Sequence, residues 1–175
     1  MTDEMDSLEK RLRFVEDRLA IYNLLSSHPI GSDTADPLIM EAIYTEDTVF
    51  DRGPSLSGAV GRDKLLEMVQ SPAHQKAIDN GLVHFGNLPL VELHGDHATA
   101  TSYVMLLASD RDGSPRELSN HGSSRGYWIH RMIVNRWSLH KIAGKWQIKE
   151  RKMLFHDGSP EARDLIRQAR SIYEN

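Results

Sequence analysis

From Leu82 onward the sequence abandons helical spacing for strands, and this switch constrains the fold more than anything before it. Leu82 to Leu93 reads as one strand, His94-Gly95-Asp96-His97 as a turn, and Ala98 to Ala108 as the return strand of a long antiparallel hairpin. Arg111 to Ser123 is polar and contains glycine, so it reads as a loop. Tyr127 to His140 is a third long strand, and Ala143-Gly144 closes a tight hairpin into Trp146 to Phe155. Val104-Met105-Leu106-Leu107 is apolar on both faces of its strand. One face then packs on helices, and the other meets a second subunit or lines an apolar cavity. A homo-oligomer is expected.

Helices precede this sheet. Leu8, Leu12, Val15, Leu19, Tyr22 and Leu25 recur at spacings of three and four and form one helix face, with His28, Pro29 and Gly31 expected to end it. Asp36 is placed to cap a short helix that has Pro37 at its first position and runs to Tyr44. A β-prone Thr48-Val49-Phe50 follows, then a third helix around Leu65 to Val69 and a partly helical stretch from Pro72 to Asn80. After Phe155, Asp157-Gly158-Ser159-Pro160 starts a closing helix with apolar Ala162, Leu165, Ile166, Ala169 and Ile172. Helices, then an antiparallel sheet, then a closing helix make an α+β layer arrangement. At 175 residues the chain fits one domain, 1–175.

The bulk properties remove several classes of function. Lys and Arg total 21 against 25 Asp and Glu, so there is no basic face for a nucleic acid backbone. Without cysteine there is no disulfide, thiolate nucleophile or Cys-ligated metal. The acidic start MTDEMDSLEK lacks the form of a secretory signal, and no apolar run is long enough to span a membrane. A cytoplasmic enzyme or binding protein is expected.

Two residues carry the chemistry. Asp33 sits in Ile30-Gly31-Ser32-Asp33, where the chain is expected to leave the first helix, and His84 lies in Leu82-Val83-His84-Phe85-Gly86-Asn87. A carboxylate beside an imidazole fixes its tautomer and stabilises the imidazolium, which makes a general base near neutral pH. The same residues also have a plain structural use, Asp33 as a helix cap and His84 as a hydrogen-bonded core histidine. His94 and His97 flank Gly95-Asp96 in a turn with no third ligand evident, so no metal site is expected there. His74, His121, His140 and His156 read as surface or loop residues.

The pairing of Asp33 with Val83-His84-Phe85-Gly86 resembles the site of the scytalone dehydratase and SnoaL-like families. It is similar also to that of hexachlorocyclohexane dehydrochlorinase and bile-acid 7α-dehydratase. These share a cone-shaped fold resembling nuclear transport factor 2, N-terminal helices packed on a strongly curved antiparallel sheet that encloses a pocket. The likeness runs from about Leu8 to Phe155, with the Gly144-Lys145-Trp146 hairpin in register.

The resemblance implies a cofactor-free lyase acting on a small, largely apolar cyclic or polyketide-like molecule. His84 would be the base and Asp33 its orienting partner. Asn135 matches a pocket asparagine that would hydrogen-bond a substrate oxygen, and Arg151 a pocket arginine that assists the leaving group. His28 occupies the place of a catalytic tyrosine. Ser32 and Val104 stand where scytalone dehydratase has a tyrosine and a second histidine, so scytalone itself is not the expected substrate. The closing helix is expected to cover the pocket mouth. Two other readings remain open: a cyclase or ketosteroid-isomerase-like proton transfer, and a non-catalytic binding or assembly subunit such as the small subunit of a ring-hydroxylating oxygenase.

Overall fold

The computed structural model describes residues 2–174. Helix α1 spans Thr2–Thr34 and continues through Pro29, so the expected break at His28–Gly31 does not occur. Proline forfeits one backbone hydrogen bond. Here Ile21, Leu24, Leu25, His28 and Ser32 keep one face of the helix buried across it. Tertiary packing outweighs the local penalty.

Gly31 has a packing reason. A Cβ there would meet the Met40 sulfur at 2.8 Å and Ile39 Cγ2 at 2.9 Å, so glycine lets the end of α1 lie against α2 (Pro37–Ile43). Asp36 caps α2 as expected, accepting hydrogen bonds from the Leu38 and Ile39 amides.

Strand β1 (Tyr44–Asp51) leads through the short β2 (Ala59–Val60) to α3 (Arg62–Val69) and α4 (Pro72–Asp79). The expected strand from Leu82 to Leu93 is two strands, β3 (Val83–Gly86) and β4 (Leu90–His94). Both pair with the long β5 (His97–Ser109). Pro89, just before β4, has no N–H to give to a ladder, and the edge parts there.

The polar stretch after Ser109 holds a small hairpin, β6 (Arg116–Leu118) with β7 (Gly122–Ser124), where a plain loop was expected. Strands β8 (Tyr127–Ile142) and β9 (Lys145–Phe155) complete the main sheet. Ala143 and Gly144 both have positive φ, as a two-residue hairpin turn requires.

The sheet order is β2-β1-β9-β8-β5-β3, with β4 beside β3 on the same edge of β5. Because β1 runs parallel to β9, the curved sheet is mixed rather than wholly antiparallel. Its concave face and α1 to α3 share a core built on Ile21, Met40, Tyr44, Leu65, Trp137 and Ile148. Helix α5 (Pro160–Arg167) and the 3-10 turn Gln168–Tyr173 lie on the opposite face, where Ala162 and Leu165 pack on Val134 and Leu154. On that face Arg136 pairs with Glu92 at 2.8 Å, and the Ser171 hydroxyl donates to the other Glu92 oxygen.

Candidate active site

The last turn of α1 and the first residues of β3 meet over one carboxylate. Asp33 Oδ1 accepts from His84 Nδ1 at 2.6 Å, and Oδ2 accepts from the His84 backbone N–H at 2.9 Å. This clasp puts the ring proton on Nδ1 and leaves the lone pair on Nε2. The His84 ring stands on the wall of a cavity of about 380 Å³ between the concave sheet and the helices.

His28 and Arg151 form a second cluster beside it. Arg151 is 2% exposed, and its guanidinium lies against the rings of Phe50 and Trp137, 4.7 Å from each centroid. Arg151 Nε donates to Asn135 Oδ1 at 2.9 Å, and Nη1 donates to His28 Nε2 at 2.6 Å. Arginine has no acceptor, so His28 Nε2 must carry a lone pair and Nδ1 the proton, which it donates to the Tyr44 hydroxyl at 3.0 Å. Burial, with the Arg151 and His84 charges adding to it, holds His28 well below the usual imidazole range. Burial likewise pushes the Tyr44 phenol up to about 12. His28 and His84 lie edge to face with centroids 6.2 Å apart.

The structure therefore gathers Asp33, His84, His28, Asn135 and Arg151 into one continuous set of contacts. Asn135 stands behind Arg151 and is not on the cavity wall. Its oxygen is taken by the guanidinium, and its Nδ2 is buried with no hydrogen-bond partner among the described residues. A second, smaller cavity of about 210 Å³ lies on the far side of His28, bounded by Leu25, Pro29, Tyr103 and Trp137.

Several expectations change. Helix α5 lies on the convex face and does not line the cavity, so it is not a cover for the mouth. His74, expected at the surface, lines the cavity and hydrogen-bonds the Ser32 carbonyl oxygen at 2.8 Å. Arg52, His130 and Arg131, not singled out in the sequence, line it too.

The last two owe their place to a β-bulge. Leu106 pairs with Arg131 and Leu107 with Ile129, so His130 is an extra residue, and two consecutive side chains reach the same cavity. Alternation along a strand predicts only one. The apolar wall includes Met40, Leu65, Met68, Leu106, Ile133 and Met153, three of them methionines. Among the described residues no group of three His, Asp or Glu side chains is placed to hold a metal ion. No helix among them is long and apolar enough to cross a membrane.

Comparison with known proteins agrees with this architecture. A family model described as SnoaL-like domain matches residues 13–152. No curated protein sequence matches the chain. A nuclear transport factor 2-like protein with a cystatin-like fold from Novosphingobium aromaticivorans superposes with a TM-score of 0.81 at 24% identity, covering 95% of this chain and 99% of that one. Hexachlorocyclohexane dehydrochlorinase LinA-type3 from Novosphingobium barchaimii superposes at 0.66 and 16% identity, covering 83% and 90%. A candidate scytalone dehydratase from Novosphingobium aromaticivorans superposes at 0.58 and 19% identity, covering 89% and 88%. At these identities the likeness to solved structures establishes the fold.

Proposed function

The chain belongs to the SnoaL-like domain family, and from that premise we propose that it is a cofactor-independent lyase. Its substrate would be a small, largely apolar cyclic or polyketide-like molecule. The observation that carries this reading is the Asp33–His84 contact on the cavity wall beside the buried Arg151. Likeness to structures named for dehydrochlorinase and dehydratase activity supports it at the level of reaction class.

In this mechanism His84 Nε2 removes a proton from the carbon next to a carbonyl. The C–H pair becomes the new C=C bond, and the β-substituent leaves with its bonding electrons. A departing hydroxide takes the proton from the imidazolium and leaves as water, which restores neutral His84. Asp33 stabilises the imidazolium in between. Arg151, held by Asn135 and His28, faces the negative charge that develops on oxygen.

The test is a panel of cyclic β-hydroxy ketones followed by the absorbance of the enone product. His84→Ala should lower turnover by about 10²–10⁴-fold, the usual weight of a positioned base. Turnover that survives His84→Ala would remove the mechanism. Deuterium uptake from solvent without loss of water would point to a cyclase or ketosteroid-isomerase-like proton transfer. Neither elimination nor exchange across the panel would favour a binding or assembly subunit.

A further inference from the structure

Three guanidinium groups line the cavity, those of Arg52, Arg131 and Arg151, and among the described residues no carboxylate lines it with them. Asp33 is committed to His84 through both oxygens. Arg151 is held by neutral partners, Asn135, His28 and the Tyr44 phenol. Arg52 has a buried Nε with no hydrogen-bond partner among the described residues. Its Nη1 reaches the Ser57 carbonyl oxygen at 3.3 Å and the Met68 sulfur at 3.5 Å. Arg131 lies 4.4 Å from the centroid of the Phe155 ring, and its Nη2 donates to His130 Nε2 at 2.6 Å. None of these partners is an anion.

The cations also act on one another. Burial and then the Arg131 charge lower the pKa of Arg52. Burial chiefly, offset by Tyr44 and reinforced by Arg52, lowers that of Arg151. Arg151 is buried and Arg52 and Arg131 are half-buried, and like charges withdrawn from water without a counterion are unfavourable, a cost that an anion bound among them would offset. An engaged pair of guanidiniums suits the planar oxygens of a carboxylate.

We infer that the substrate carries an anionic oxygen group, a carboxylate first of all, read by Arg52 and Arg131 at one end of the cavity. Arg151 is then left to the reacting end beside His28 and His84. The assignment of a reacting end rests on the lyase reading above; the anion-binding end does not depend on the dyad.

The test compares three probes of one ring system by calorimetry: 2-naphthoate, the neutral isostere 2-naphthamide, and 2-naphthyl phosphate. Wild type should bind naphthoate about tenfold or more tighter than naphthamide, the ordinary gain of a charge-assisted hydrogen bond. Arg52→Gln and Arg131→Gln should each erase most of that preference while naphthamide affinity holds, which also shows that the variant is folded. Phosphate bound better than carboxylate supports the same end and identifies the group it reads. Equal affinity for naphthoate and naphthamide in wild type overturns the inference, as does a preference that survives both substitutions. Loss of naphthamide binding in both variants overturns it as well, because the arginines are then structural. His84→Ala separates the two claims. Naphthoate preference kept in that variant, alongside a wild type inactive on every ketone, those bearing a ring carboxylate included, leaves the anion end standing and removes the lyase.

Discussion

At His28 a single imidazole is held neutral by burial and by a guanidinium that can only donate to it. Its pKa in the folded protein lies below the value of about 6.5 for an unfolded chain, so below that pH the unfolded chain binds more protons. The sign follows. This contribution to stability is complete above about pH 6.5 and is lost as pH falls toward the folded pKa, at about 1.4 kcal/mol per pH unit. Urea unfolding between about pH 7 and pH 5 should show the slope. His130 and His140 are shifted the same way, so the decisive comparison is His28→Gln, which keeps an acceptor for Arg151 and should flatten the curve. An unchanged slope would place the effect elsewhere.

Among the elements, α5 is the one whose position contradicts its expected use. Leu165 is buried against Val134 and Leu154 on the convex face. Leu165→Ala should therefore cost about 2–3 kcal/mol of stability, as deletion of a buried leucine does, and leave 2-naphthoate affinity unchanged. A lid would give the reverse, little loss of stability and weaker binding. Amphipathic spacing made the helix legible, since Ala162 and Leu165 fall on one stripe, but spacing does not say which face of a sheet the stripe meets.

The same limit explains the other differences between sequence and structure. The Asp36 cap, the Ala143-Gly144 turn and strands β8 and β9 were readable because local chemistry decides them. Asp33 and His84 were readable as a pair only through family resemblance, since 51 positions separate them. Arg52 sits at a strand end, and Arg131 reaches the cavity through a bulge that leaves no mark on the periodic pattern. The continuation of α1 past Pro29 was hidden because burial across the proline comes from residues distant in sequence.

On the scale of the molecule, the first half of α1 is unusual. Residues 4–16 are all exposed, and Met5, Leu8, Leu12, Val15 and Leu19 form an uncovered apolar stripe. The first anchor onto the sheet is Asp17, which accepts from Lys141 Nζ at 2.7 Å and Trp146 Nε1 at 2.8 Å. A second copy is the occupant we expect, because an uncovered apolar stripe on a helix is complementary to itself about a two-fold axis. Sedimentation velocity should report an oligomer that Leu8→Glu combined with Leu12→Glu shifts toward monomer. A wild type that is monomeric at high concentration would remove this expectation.

His28 lines both cavities. A smaller residue at that position is therefore expected to lengthen the space open to a substrate. That side chain is also what Arg151 leans on. Size range and charge placement are tied together, so a descendant of this protein that gains length in its substrate must first find another way to hold its guanidinium.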